Sequence, residues 1–412
     1  MTASPWITVI GIGEDGLSGL APARVAEIEA AQVLVGGDRH QGLVADFTGE
    51  RLTWAKSDAG GFRSTFDDIE ARRGQRVVVL ATGDPLYYGA GAALCDRFGM
   101  NDVVIHPAPG AISLAAARMG WSLPDTDTFT LHGRPLETAA RYLADGARLI
   151  ALSENGETPA ALAKLLADRG YGASEVTALE HLGGEKEKAV TQVAQAWGDA
   201  RVADLNTIAV LCVADAGVRG LSRVPGLADD AFAHDGQITK REVRALTLSS
   251  LAPLPGETLW DVGAGAGSIA IEWMRAAPHS RAIAIERDPA RTDRIAANAR
   301  TLGVPKLAVI EGAAADVLDR LPGPPDAIFI GGGVTGDMLD ACWAQLPEGG
   351  RLVANAVTAT GEAAVIAFHA RHGGAVTRLS VEHLEGMGAT DAEAFSPKRA
   401  VTHLAVWKGA KA

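Results

Sequence analysis

At 412 residues the chain is longer than one hydrophobic core usually supports, so two domains are expected. Hydrophobic residues make up 47% and charged residues 21%, with 48 glycines, which excludes a disordered chain and calls for many tight turns. Lys and Arg total 38 against 50 Asp and Glu, a net charge of -12 without a basic run, and that field weighs against a nucleic-acid partner.

From Trp6 onward, short apolar runs alternate with helical patterns: WITVIGIG, the Ala/Glu-rich 21–31, QVLVGG, RVVVLATG, then 88–98. This alternation predicts an α/β architecture. A second series over 106–213 carries the strand candidates TFTL, RLIALS, EVTAL and TIAVLCV around a helix at TPAALAKLLADRG, as a second lobe of the same unit. The domain so defined is 1–213, and 214–235, rich in Gly, Pro and acidic residues without periodicity, is the expected linker. In the following domain, 236–412, TKREVRALTLSSL predicts a helix with Thr239 as its cap. Seven strand candidates follow: TLWDVG, RAIAIE, LAVIEG, DAIFIGG, GRLVANAV, AVTRLSVEHL and THLAVWKG. The first five are joined by helices and predict parallel pairing, and the last two an antiparallel edge. Cys95, Cys212 and Cys342, without CxxC spacing, suggest neither disulfides nor a metal site, and a reducing cytoplasm fits. No apolar run approaches the ~18 residues of a membrane span, so no membrane partner is expected.

Chemistry is concentrated at two glycine turns. In DVGAGAGS, Asp261 leads Gly263, Gly265 and Gly267 between a strand and a helix, and Ser268 stands where a dinucleotide fingerprint has its last glycine. Glu286 closes the next strand, nineteen positions after Gly267, where a carboxylate can accept hydrogen bonds from ribose hydroxyls. The pattern marks an adenosine ligand; strand count and glycine spacing favour adenosylmethionine over a nicotinamide. Near the amino terminus Gly11, Gly13 and Gly16 match GxGxxG, with Asp38 as a ribose acceptor, so a dinucleotide reading stands there on spacing alone. ATGDPLYYG leaves a strand through Gly83, Asp84 and Pro85, and TLHGRP ends another with His132 and Arg134. Strand ends of this kind suggest a cleft.

Through VIGIG, VLVGGDRH, ATGDPLYYG, PAPGAISLAAARMGW and LHGR, positions 6–213 resemble the tetrapyrrole methylases, in particular the CbiE-type corrin methyltransferases. Residues 236–409 resemble the CbiT-type methyltransferases through ITKREVRALTLSSL, LWDVGAGAGSIAIEWMR, AIERDPARTDRIAANA and PDAIFIGGG. The resemblance implies a two-lobed class III methylase fold joined to a Rossmann-like class I methyltransferase with a seven-stranded, mostly parallel sheet. It also implies two S-adenosyl-L-methionine sites per chain, and so displaces the nicotinamide reading. The first would involve Gly83, Asp84, Pro85, Leu86 and Tyr88, with Ser113 and Leu131 opposite. The second would involve Thr239, Asp261, Gly263, Ala264, Gly265, Ala266, Gly267, Glu286 and Ala314. Where related chains often read EGD this one reads EGAAAD, so Ala313 supplies no carboxylate to the adenine amine, and Asp316 or a backbone carbonyl would have to serve.

The implied reaction belongs to cobalamin biosynthesis: methylation of a precorrin-6 (6Y or 6B) at ring carbons 5 and 15 and decarboxylation of the acetate on carbon 12, giving precorrin-8. Methyl transfer from a sulfonium is governed by in-line positioning, and the conjugated ring accepts the electrons of decarboxylation. His132, Arg134, Lys398 and Arg399 are the cations expected to meet the substrate's carboxylates. No general acid or base is identified; Glu382, His383 and Glu385 lie near the expected mouth of the second cleft. A homo-oligomer, dimer or tetramer, is the further implication. Competing readings are a methyltransferase acting on protein or RNA and a non-enzymatic nucleoside-binding protein.

Overall fold

Runs of Val, Ile and Leu too short for helices are buried on both faces when they pair as parallel strands, and three sheets are built mainly of such runs. The computed structural model of the chain describes residues 5–55, 61–386 and 393–409. The chain divides into two compact units, one of residues 1–136 and 144–219, the other of 137–143 and 220–412.

The first unit holds two five-stranded sheets. In the first, β1 (Ile7–Ile12), β2 (Val33–Val35), β3 (Glu50–Leu52), β4 (Val77–Thr82) and β5 (Val103–His106) are ordered β3-β2-β4-β1-β5 and all parallel. Period-two alternation sends Ile7 and Val9 into one layer of the core and Ile10 and Ile12 into the other. The second sheet contains β6 (Asp127–Thr130), β7 (Arg148–Leu152), β8 (Glu175–Glu180), β9 (Lys188–Val193) and β10 (Asn206–Leu211), ordered β6-β7-β10-β8-β9. Only β6 and β7 pair in parallel here. The second lobe foreseen in the sequence is this mixed sheet, with β9 as an exposed edge that lacks a hydrophobic signature.

The second unit is built on β11 (Thr258–Val262), β12 (Arg281–Glu286), β13 (Ala308–Glu311), β14 (Ala327–Ile330), β15 (Arg351–Ala356) and β16 (Ala375–Leu379). A hairpin of β17 (Glu382–Gly386) and β18 (Glu393–Pro397) follows, then β19 (Val401–Trp407). The seven-stranded order is β13-β12-β11-β14-β15-β19-β16, with the first five parallel and β19 antiparallel to both neighbours. The expected strand AVTRLSVEHL is therefore two: it breaks after Leu379, and VEHL pairs with β18 instead of continuing the sheet. Leu259 faces one core layer, Trp260 and Val262 the other. Strand order reverses between β12 and β14 on either side of β11, the switch point at which open α/β sheets form crevices.

Two local expectations change. Thr239 does not cap the helix Arg241–Leu251; Lys240 holds that position, without a side-chain cap bond. Residues 220–235, aperiodic in sequence, are not a free linker but an extension of the second unit, because Leu227 and Phe232 are buried in its core.

Candidate functional site

Beyond β11 the chain turns through Gly263, Gly265 and Gly267 at φ of 70, 60 and 75°, the left-handed region that side chains rarely adopt. At Gly263 a Cβ would also lie 3.1 Å from the backbone of Gly332, so bare backbone is required there. Glu286, at the end of the neighbouring β12, braces the turn: Oε2 accepts from the Gly265 N–H at 2.8 Å, and Oε1 from the Arg287 and Asp288 N–H groups at 3.0 and 3.2 Å. A carboxylate offers about four acceptor positions, so about one remains for a ligand.

Gly263, Gly265 and Glu286 border a cavity of about 1070 Å³ within the second unit. Thr239, Gly263, Ala264, Gly265, Glu286 and Ala314 line it, whereas Asp261, Ala266 and Gly267 do not. Ala266 receives Asn298 Nδ2 on its carbonyl at 3.0 Å, and a Cβ at Gly267 would lie 2.7 Å from Ile295 Cγ2, so both serve packing of the turn. Around the absent EGD carboxylate, the wall consists of Gly312, Ala313, Ala314 and Ala315; Asp316 is not part of it. Sequence reasoning left out Gly331, Gly332 and Gly333, although three glycines ending a strand beside β11 were a usable signal, and it left out Asn355.

Asp261 stands behind this wall. It is 1% exposed, its Oδ2 accepts from the Ala270 N–H at 3.1 Å, and its Oδ1 has no hydrogen-bond partner among the described residues. Burial pushes its carboxyl up to about 7. Unfolding lets that carboxyl ionise near its ordinary pKa of about 3.9, so between about pH 4 and 7 the folded state holds a proton the unfolded state has lost, and stability falls as pH rises. Asp261→Asn is expected to flatten that decline, read from urea midpoints across the same pH range.

Charge at the cavity departs from the chain average. Five cations line it (Lys240, Arg287, Arg291, Lys398, Arg399) against four carboxylates (Asp229, Glu242, Glu286, Glu385), whereas the whole chain carries -12. Lys398 pairs with Glu385 and holds that carboxyl below its ordinary value. Arg399 has no such partner among the described residues. His383 and Glu385 line the cavity and Glu382 does not.

In the first unit a far smaller cavity, about 40 Å³, lies between its two sheets. Of the residues expected there, only Gly83 lines it. Asp84 instead accepts the Leu86 N–H at 2.9 Å and shapes its own turn. Leu86, Tyr88 and Ser113 are exposed, and Pro85 and Leu131 are buried. His132 and Arg134 are exposed and outside the cavity, His132 lying 3.3 Å from Glu154. The groups that do meet at the cavity are Glu14, Arg39 and Asn206. Glu14 is paired with Arg39 and with His181, whose Nδ1 is 3.0 Å away. Burial opposes ionisation of Glu14, but His181 and Arg39 outweigh it and hold the carboxyl below its ordinary value. Burial, aided by Arg39, pushes the adjacent His40 down to about 4, so it is neutral near pH 7. Asp38, the ribose acceptor of the dinucleotide reading, is exposed and does not line this cavity. A volume this small holds about one water and does not fit a nucleoside. Among the described residues no three His, Cys, Asp or Glu side chains group as a metal site, and no helix is long and apolar enough to cross a membrane.

Comparison with known proteins agrees with this architecture. The family model of Tetrapyrrole (Corrin/Porphyrin) Methylases matches residues 7–196, and that of the Precorrin methyltransferase domain matches 230–408. The chain is 47% identical over 408 residues to a Precorrin-6Y C(5,15)-methyltransferase (decarboxylating) of Sinorhizobium sp, covering 98% of this chain and 97% of the relative. It is 40% identical to a protein of the same name from Mycobacterium tuberculosis, covering 98% of this chain and 100% of that one. A Cobalt-precorrin-7 C(5)-methyltransferase of Salmonella typhimurium is 34% identical over 182 residues, 44% of this chain and 88% of the relative. Methyltransferases of this family use S-adenosyl-L-methionine. The chain thus belongs to the family of decarboxylating precorrin-6Y C(5,15)-methyltransferases.

Proposed function

We propose that the chain methylates a precorrin-6 intermediate at ring carbons 5 and 15 and removes the carboxylate of the carbon-12 acetate as carbon dioxide, with the second unit acting at carbon 15 and in decarboxylation. The observation that carries this reading is the cavity at the switch point of the second sheet. Its volume of about 1070 Å³ exceeds the ~300–1,000 Å³ of a pocket for one small molecule, so a nucleoside and part of a macrocycle fit together. Thr239, Gly263, Ala264, Gly265, Glu286 and Ala314 would hold adenosylmethionine, which supplies an electrophilic methyl group. The bare backbone at Gly263 permits close approach, and the remaining lone pair of Glu286 suits one ribose hydroxyl. Lys398 and Arg399 meet carboxylates of the substrate, and the cavity walls fix the ring carbon in line with the methyl.

Methylation at carbon 5 falls to the first unit on this reading, supported by the tetrapyrrole methylase family model, which matches residues 7–196. Because the cavity between its sheets is too small for a nucleoside, a second adenosylmethionine would sit on the face that exposes Leu86, Tyr88 and Ser113. Calorimetric titration of the whole protein with adenosylhomocysteine is expected to give two sites per chain, and mass spectrometry to give a product heavier by two methyls and lighter by carbon dioxide. One site at saturation removes the first unit from the scheme, and an unaltered corrinoid removes the scheme.

A further inference from the structure

Asn355, on β15, lines the cavity of the second unit yet is only 7% exposed. Its carboxamide is fixed from behind. Nδ2 donates to Thr247 Oγ1 at 2.9 Å, and Thr247 spends its own hydroxyl proton on the Val243 carbonyl at 2.7 Å, which forces the nitrogen of the amide to that side. Oδ1 then faces His403 Nδ1, 2.8 Å away and directly opposite in the β15–β19 ladder, so Nδ1 carries the proton. The other ring nitrogen is 2.9 Å from Ser250 Oγ and accepts from that hydroxyl. His403 is 3% exposed, and burial lowers its pKa, so the imidazole stays neutral. One N–H of Asn355 and one lone pair of its oxygen are left unused by this network.

Resting on the proposed decarboxylation, we infer that Asn355 is the side chain that contacts the carboxylate lost from the substrate, through its unused N–H. Of the neutral polar side chains on the wall, Gln237, Thr239 and Asn355, it is the buried one. The reason for a neutral donor is differential binding. In the step itself the bond from the acetate methylene to the carboxylate breaks, its electron pair enters the conjugated ring, carbon dioxide leaves, and the methylene takes a proton from water to become methyl. Negative charge therefore disappears from the carboxylate in the transition state, and every interaction that stabilises the charge beforehand raises the barrier. A hydrogen bond from Lys or Arg is roughly twice as strong as one from an amide. A clamped carboxamide orients the group at a smaller penalty, while Lys398 and Arg399 suit carboxylates that the product keeps.

The full chain carrying Asn355→Ala, given precorrin-6Y and adenosylmethionine, provides the test, with released carbon dioxide and carbon-15 methylation followed in one reaction. Carbon dioxide released per methyl transferred is expected to fall about tenfold, because the leaving carboxylate loses the orientation this contact gives it, with adenosylhomocysteine affinity unchanged. Asn355→Thr suits the strand and keeps an oxygen for His403 but has no amide N–H to reach the carboxylate, so it should lower the ratio as far, and it carries the test alone should the alanine variant not fold. A parallel fall of both signals, or an unchanged ratio in either folded variant, overturns the assignment. Wild-type protein that methylates without releasing carbon dioxide would instead refute the decarboxylation on which it rests.

Discussion

Gly11→Ala is expected to abolish carbon-5 methylation, by about a hundredfold or more, while carbon-15 methylation and carbon dioxide release continue. Gly11 lies in β1 opposite Ala81 of β4, and a Cβ there would come within 1.8 Å of the Gly83 carbonyl oxygen and 2.7 Å of the Ala108 nitrogen. Both obstacles are backbone atoms and are bonded to one another, the Ala108 N–H to the Gly83 carbonyl at 3.1 Å. Overpacking costs ~1–3 kcal/mol when side chains can yield, and more where only backbone can. Relief requires the carboxyl end of β4 to retreat, which carries Gly83 and the turn beyond it away from the cavity. Product mass, resolved by methyl position, reads the effect. Gly42→Ala, where an added Cβ meets nothing within 4 Å, is the matched control and should stay within ~0.5 kcal/mol of wild type. Near-normal carbon-5 methylation by the Gly11 variant would dissociate this strand junction from the reaction.

Arg244→Ala is expected to destabilise the second unit by ~3–5 kcal/mol, because it strands a carboxylate in the core. Arg244 is fully buried and its Nε contacts Glu272 Oε1 at 2.6 Å, while Glu272 is 2% exposed. The same guanidinium reaches Asp229 at 3.0 Å and the carbonyls of Leu227 and Thr239, and its plane lies 4.9 Å from the Phe232 ring centre. Glu272 in turn accepts the N–H groups of Gly226 and Leu227. One ion pair therefore fastens the aperiodic stretch 226–232 onto the helices and holds Thr239 at the cavity wall. Thermal unfolding should shift downward by ~6–20 °C for a unit of this size. The double replacement Arg244→Met with Glu272→Leu should recover a large part of the loss, since it removes both charges together; equal damage from single and double variants would show that the backbone contacts matter more than the pair.

Much of the second unit was legible because its signals are local. Five mostly apolar strands, a glycine turn after β11 and a carboxylate at the end of β12 each lie within a few residues of the feature they create. What escaped is non-local. Glu14 meets His181 across 167 positions and Asn355 meets Thr247 across 108, and no periodicity joins residues at such separations. Short or exposed strands such as β3 and β9 carry no hydrophobic pattern of their own and exist through their neighbours. The motif ATGDPLYYG located the right strand end in the first unit, but its carboxylate and tyrosine shape the turn and its surface, and the enclosed space is formed by residues drawn from both sheets. The break after Leu379 was hidden because VEHL continues the same alternation into the hairpin.

The position of β19 between β15 and β16 bears on how the protein is made. Translation delivers β15 some fifty residues before the strand that will cover its free edge, and β16 arrives with no neighbour to join. During that interval the nascent sheet offers an unpaired row of amide and carbonyl groups flanked by Leu352 and Val353, the kind of edge that recruits other chains. Ribosomes stalled before Val401 should therefore display a sticky, protease-sensitive second unit, and the first should already be sound.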